Sequence, residues 1–89
     1  MKIKLELFGA SRDFSNKNHL EFNIKGQREI KDFRKEIINY LDKNFKGNES
    51  FIKIVKNSVF CSEDNNIIND DFKIIKDQKI GIIPPIGGG

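Results

Sequence analysis

Few residues in this sequence could take part in a reaction, and the glycines at positions 87–89 stand out among them. Gly87, Gly88 and Gly89 are three of only seven glycines in 89 residues. Glycine has no Cβ, so such a run adopts backbone conformations closed to other residues and threads a channel too narrow for any side chain. Three extended residues span about 10 Å at roughly 3.3–3.6 Å each, enough to carry the carboxylate of Gly89 off a domain body into a partner's pocket. A carboxylate is itself a poor acyl donor. Activation as an acyl-adenylate by a partner using ATP would make Gly89 electrophilic, and sulfide transfer would then give a thiocarboxylate able to act as a sulfur nucleophile. Composition alone is equally compatible with a frayed end that has no role.

The remaining reactive side chains point to no site of their own. His19 has no second His or Cys at ligand spacing, which argues against zinc and for a surface residue. Cys61 is the single cysteine, has no histidine placed beside it by a motif and ends a short apolar run, as a buried structural thiol does. The triple glycine follows a strand pattern but opens no helix, so it is no phosphate cradle, and no bound cofactor is expected. Pro84-Pro85 immediately precedes the tail. Proline cannot donate to a strand ladder and favours an extended exit, so the pair ends the last strand and aims the tail outward.

Eighty-nine residues leave room for one small domain with a modest core, not for a large enzyme with an internal cleft. Hydrophobic residues make up 37% and charged residues 33%, with eight Phe, which is enough apolar mass to fold. The net charge of +3 comes from 16 basic and 13 acidic residues interspersed along the chain, a mixed surface rather than a nucleic-acid footprint. One cysteine cannot form an internal disulfide, and charged residues alternate with apolar ones from Lys2 onward, so neither a signal peptide nor a membrane span is expected. A reducing cytoplasm fits this usage.

The elements that must hold the tail follow from periodicity. Ile3, Leu5 and Leu7 alternate with Lys2, Lys4 and Glu6, and Leu20, Phe22 and Ile24 alternate with Glu21, Asn23 and Lys25. This period of two predicts two half-buried strands joined as a hairpin across a turn-rich stretch at 9–18. Beyond Gly26 the period lengthens: Ile30, Phe33, Ile37, Leu41 and Phe45 form the apolar stripe of a helix of about four turns. Glu29 and Asp32 place negative charge at its positive end and Gly47 is its expected stop. Residues 51–55 read as a strand, Asn57-Ser58 as a turn and 59–61 as a short return strand. Residues 62–66 read as loop, with Ile67, Ile68, Phe72, Ile74 and Ile75 as apolar anchors in a polar connection, and 79–83 as the last strand. The order predicts an α+β domain of the β-grasp, ubiquitin-like kind over residues 1–86, a mixed sheet with one main helix packed across it, followed by a flexible glycine tail at 87–89.

With these elements in place, the run from Lys79 through Ile82-Ile83-Pro84-Pro85-Ile86-Gly87-Gly88-Gly89 resembles the ending of the MoaD family, the small sulfur-carrying subunit of molybdopterin synthase, within the wider group of ubiquitin-like sulfur carriers. That ending is a hydrophobic strand, two prolines, an aliphatic residue, a small residue and Gly-Gly. The stretch Leu7-Phe8-Gly9-Ala10-Ser11-Arg12-Asp13-Phe14 is similar to the family's first-strand exit, where an arginine precedes an acidic and an apolar residue. Two departures exist: Asp77-Gln78 stands where Gly-Asp is frequent, and Gly87 where Ser or Ala is more usual. The second leaves the carrier subtype open, and a protein modifier, a carrier for thiamine synthesis or tRNA thiolation, and a non-catalytic binding module are the alternatives.

The resemblance implies a chain that is not catalytic alone. Gly89 would be adenylated and then thiocarboxylated, with Gly88, Gly87, Ile86, Pro85, Pro84, Phe8 and Arg12 contacting partners. An E1-like, MoeB-like adenylyltransferase would supply the activation with its own ATP and Mg²⁺, and a sulfur donor protein the sulfur. A large, MoaE-like synthase subunit would receive the tail in a heterotetramer and pass the sulfur to a pterin precursor of the molybdenum cofactor.

Overall fold

The computed structural model describes residues 1–85. The two alternating segments form strands β1 (Lys2–Leu7) and β2 (His19–Asn23), which pair antiparallel with Leu5 opposite Leu20. Their connection is more ordered than its turn composition suggests: Gly9–Phe14 is a 3-10 helix that buries Phe14, entered through Gly9 at φ +55° and braced by Ser11, whose Oγ donates to the Phe8 carbonyl at 2.6 Å. After Gly26, the two-residue strand β3 (Arg28–Glu29) leads into helix α1 (Ile30–Asn44). The Asp32 carboxylate accepts from the Glu29 amide at 3.2 Å, and at the far end Gly47 takes φ +71° with its amide donating to the Asp42 carbonyl. Both ends therefore follow from the acidic residues and the glycine.

Residues 51–55 are not a strand. They belong to a second helix, α2 (Glu49–Asn57). A short apolar run is ambiguous by periodicity alone, and here the flanks decide. The Asn48 side chain accepts from the Phe51 amide at 3.1 Å and caps the start, while the Asn57 and Ser58 side chains donate to the Lys53 and Ile54 carbonyls at the end. The turn expected at Asn57-Ser58 is thus the end of this helix.

Strand β4 (Val59–Cys61) follows, then β5 (Ile67–Ile68), β6 (Lys73–Ile74) and β7 (Gln78–Ile83). The connection from 62 to 77 is more structured than a loop with anchors, since β5 pairs with β4 and β6 pairs with β3. Two of the expected anchors, Ile67 and Ile75, are instead exposed, at 64% and 61%. The main sheet runs β2-β1-β7-β4-β5, with β1 and β7 parallel at its centre and every other pairing antiparallel.

One face of this mixed sheet carries the core. Ile3, Leu5, Leu7, Ile80, Ile82 and Phe60 project from it against Ile30, Phe33, Ile37 and Leu41 of α1 and Val55 of α2. Each such aliphatic or aromatic side chain contributes roughly 1.5–3 kcal/mol by leaving water. The α1 stripe is the expected one, with Phe45 and Ile38 half-buried at its margins. Among the described residues, no helix is long and apolar enough to cross a membrane.

Candidate functional site

Strand β7 lies between β1 and β4, with Leu7 opposite Ile82 and Val59 opposite Ile83. At its end Pro84 has no N–H to continue the ladder. Pro84 is buried, whereas Pro85 is exposed, so the chain reaches the surface here. A Cβ added to Gly9 would lie 3.8 Å from Pro84 Cδ, in ordinary contact, so it is the left-handed φ and not crowding that favours glycine at position 9. The segment after β1 and the end of β7 thus meet at the root of the tail. Ile86, Gly87, Gly88 and Gly89, the tail residues singled out in the sequence, lie outside the described residues, as does the expected boundary between body and tail.

On the face of the sheet turned away from the helices, Cys61 stands opposite Gly81, and the Phe8 ring lies over both. A Cβ on Gly81 would come within 2.7 Å of Cys61 Sγ and 2.9 Å of Phe8 Cε2, so only glycine lets the ring settle there. Phe8, Cys61, Asn65, Ile67 and Ile83 line a hollow of about 320 Å³ in this face. Val59, 46% exposed, adds to its apolar border, and the Lys79–Glu6 pair at 3.5 Å stands on the strands beyond. Cys61 is buried as expected, and its role in this packing is structural.

On the helix side of the same strand end, Pro84 and Pro85 form one wall of a second depression of about 300 Å³, with Ala10 of the 3-10 helix and Ser50, Lys53, Ile54 and Asn57 of α2 as the others. Of the residues expected to contact partners, Phe8, Pro84 and Pro85 therefore converge on the tail's root. Arg12 is exposed on the 3-10 helix and lines neither depression. His19 opens the edge strand β2, sits 3.7 Å from the Glu21 carboxylate and lines neither depression. Among the described residues, no three His, Cys, Asp or Glu side chains cluster as metal ligands would.

Two groups of lining residues were not foreseen from the sequence. Ile67 and Ile83 come together beside Gly81 only through cross-strand register. Lys53 and Ile54 fall in the segment 51–55 read as a strand, with Ser50 just before it, although Asn48 as a helix cap and the outward spacing of Lys53, Lys56 and Asn57 carry the signal of α2.

No protein-family model and no curated protein matches the chain by sequence. Solved structures do match it in shape. A Pyrococcus furiosus protein assigned as molybdopterin converting factor, subunit 1, superposes with a TM-score of 0.70 at 17% identity over 96% of this chain and 98% of its own. SAMP1 from Haloferax volcanii superposes with a TM-score of 0.68 at 11% identity over the full length of both chains. The β-grasp, ubiquitin-like fold expected from the element order is therefore the fold of this protein, with a second helix added to the expected one.

Proposed function

We propose that this chain is a ubiquitin-like sulfur carrier of the MoaD type, working through the carboxylate of Gly89 as its last residue. The observation that carries the reading is the exit of the chain: the central strand β7 delivers Pro84-Pro85 to the body's surface between two depressions, one residue before the glycine run. Likeness over nearly the whole length to a protein assigned as a molybdopterin converting factor subunit supports it.

In this reading an E1-like adenylyltransferase brings ATP and Mg²⁺. A carboxylate oxygen of Gly89 attacks the α-phosphate, pyrophosphate leaves, and the acyl-adenylate forms. A hydrosulfide equivalent supplied by a donor protein then attacks the carbonyl carbon, AMP leaves, and a thiocarboxylate remains. A large synthase subunit, in a heterotetramer of two carriers and two large subunits, accepts the loaded tail and passes its sulfur to the pterin precursor. No side chain of the carrier takes or gives a proton in these steps. Its contribution is shape: a thin tail, a fixed exit, and a body with apolar Phe8 beside that exit for partners to grip.

Intact-mass spectrometry of the chain incubated with its activating enzyme, ATP and a sulfur donor tests the reading. The expected product has one oxygen replaced by sulfur, and deletion of Gly88 and Gly89 abolishes it while the body keeps its circular dichroism spectrum. Sulfur transfer retained by the truncated chain overturns the reading. Appearance of the chain on lysines of other proteins, with no thiocarboxylate, replaces it with the modifier role.

A further inference from the structure

The depression on the helix side of the tail's root contains a cation that the chemistry at Gly89 does not use. Lys53 on α2 lines a groove that it shares with the apolar Ala10, Ile54, Pro84 and Pro85 and the neutral polar Ser50 and Asn57. Lys53 is exposed, and among the described residues no carboxylate lies within 4.0 Å of its ammonium; every ion pair present falls elsewhere. Glu49, one helical turn earlier and also exposed, is beyond that distance. The Lys53 backbone carbonyl is taken up by the Asn57 side chain, so Asn57 contributes to closing the helix end and leaves the ammonium as the groove's charged group.

From this geometry we infer that the groove is a docking site for an acidic segment of the activating enzyme, an Asp or Glu side chain set against Lys53 with apolar neighbours on Ile54 and the two prolines. The inference rests on the carrier reading and extends it from the tail to the body. Two observations select this occupant. Charge complementarity favours an anion at Lys53, an exposed ammonium flanked by the apolar Ala10, Ile54, Pro84 and Pro85. Continuity places the activating enzyme there: Pro84 and Pro85 are at once the groove's wall and the last described residues before the tail, so a protein that draws residues beyond Pro85 into its active site lies over this groove. A charge at the edge of such an interface acts on encounter and affinity, not on the bond-making step.

The test is ATP–pyrophosphate exchange by the E1-like activating enzyme, with the full-length chain as the varied substrate. Lys53→Ala raises KM for the carrier about three- to fivefold, and Lys53→Glu about tenfold or more by placing like charges together. In both, kcat stays at the wild-type value, and the difference shrinks in about 0.5 M salt. Lys35→Glu, an exposed change on α1, leaves KM unaltered. Lys53 is exposed and among the described residues its side chain makes no hydrogen bond, so both variants keep the wild-type melting temperature. Exchange by the wild-type chain combined with a KM for Lys53→Glu within twofold of it overturns the docking site alone, as does a loss confined to kcat. Absence of exchange by the wild-type chain overturns the carrier reading and the docking site together.

Discussion

Helix α1 buries Ile30, Phe33, Ile37 and Leu41 completely, whereas α2 buries only Val55 and leaves Phe51, Ile52 and Ile54 half exposed. Both lie on the same face of the same sheet. The longer helix crosses it, with Phe33 meeting Phe22 of β2 and Phe60 of β4. The shorter one sits over the end of β7 and the 3-10 helix, with the Phe51 ring 5.1 Å from Phe14 and 5.0 Å from Phe45. A helix so placed can be changed on its outer side at little cost to the core, and it is on that side that Ser50, Lys53 and Asn57 meet the tail's root. Stability and recognition are thus assigned to different helices of one layer.

The sharpest way to break this contrast is at its centre. Phe33 is fully buried, edge-on to Phe22 at 5.4 Å and tilted against Phe60 at 6.2 Å. Phe33→Ala removes the ring from a site that three elements define, and a loss of about 3–5 kcal/mol is expected in urea denaturation. Phe51→Ala on α2, made from a half-buried position, costs less than half of that. Equal losses would mean that α2 belongs to the core as fully as α1 does.

A second measurement addresses the link between the helices. Arg34 of α1 donates to the Val55 and Ser58 carbonyls at 2.7 and 2.8 Å and to the Asp70 carboxylate at 2.7 Å, and its guanidinium lies 4.9 Å from the centre of the Phe60 ring. One planar fork therefore holds the end of α2 and the polar connection onto α1. Its side chain is only 18% exposed, so these bonds are shielded in part. Arg34→Ala is expected to cost about 2–3 kcal/mol, since hydrogen bonds from a charged group carry about 1.5–3 kcal/mol each and the freed groups recover some water. Arg34→Lys recovers less than half, because a single ammonium cannot reproduce the fork. Faster hydrogen exchange in α2 than in α1 of the Arg34→Ala variant would show that the link serves the peripheral helix most.

The same contrast explains what could be read in the sequence. The inward stripe of α1 and the alternation of β1 and β2 were legible because each element faces the core along its length, and burial imposes a period. Segment 51–55 was not, because α2 is short and half-exposed, and Phe51-Ile52 beside Ile54-Val55 suits a strand as well as a helix. Its identity lies in Asn48, Asn57 and Ser58, whose side chains act on backbone groups near the helix ends. Pro84, Pro85 and Phe8 could be named from local pattern, whereas the juxtaposition of Phe8, Gly81 and Cys61 depends on strand register, which no short stretch of sequence encodes.

The smallest expected effect distinguishes how the two helices handle their own dipoles. α2 places Glu49 at its positive end and Lys56 in its last turn, the favourable arrangement. α1 carries Lys31 in its first turn, where a cation opposes the dipole, and offsets it with neighbouring carboxylates. The Lys31 ammonium lies 3.1 Å from Glu29, and that hydrogen bond, followed by the charge of Glu29, holds its pKa above the ordinary 10.5 against an opposing effect of desolvation, with lesser contributions from Asp32 and Asp70. A lysine whose pKa is raised by folding stabilises the folded state fully below its unfolded value and loses that contribution as pH rises through the folded one. Wild type should therefore exceed Lys31→Gln in stability by a small, constant margin up to about pH 10, and the margin should close above it. Salt should close it at neutral pH as well, because the pair is open to solvent. A margin unchanged by either treatment would show that Lys31 acts through its methylene stem and not its charge, leaving Asp32, bonded to the Glu29 amide, as the feature that offsets the dipole of α1.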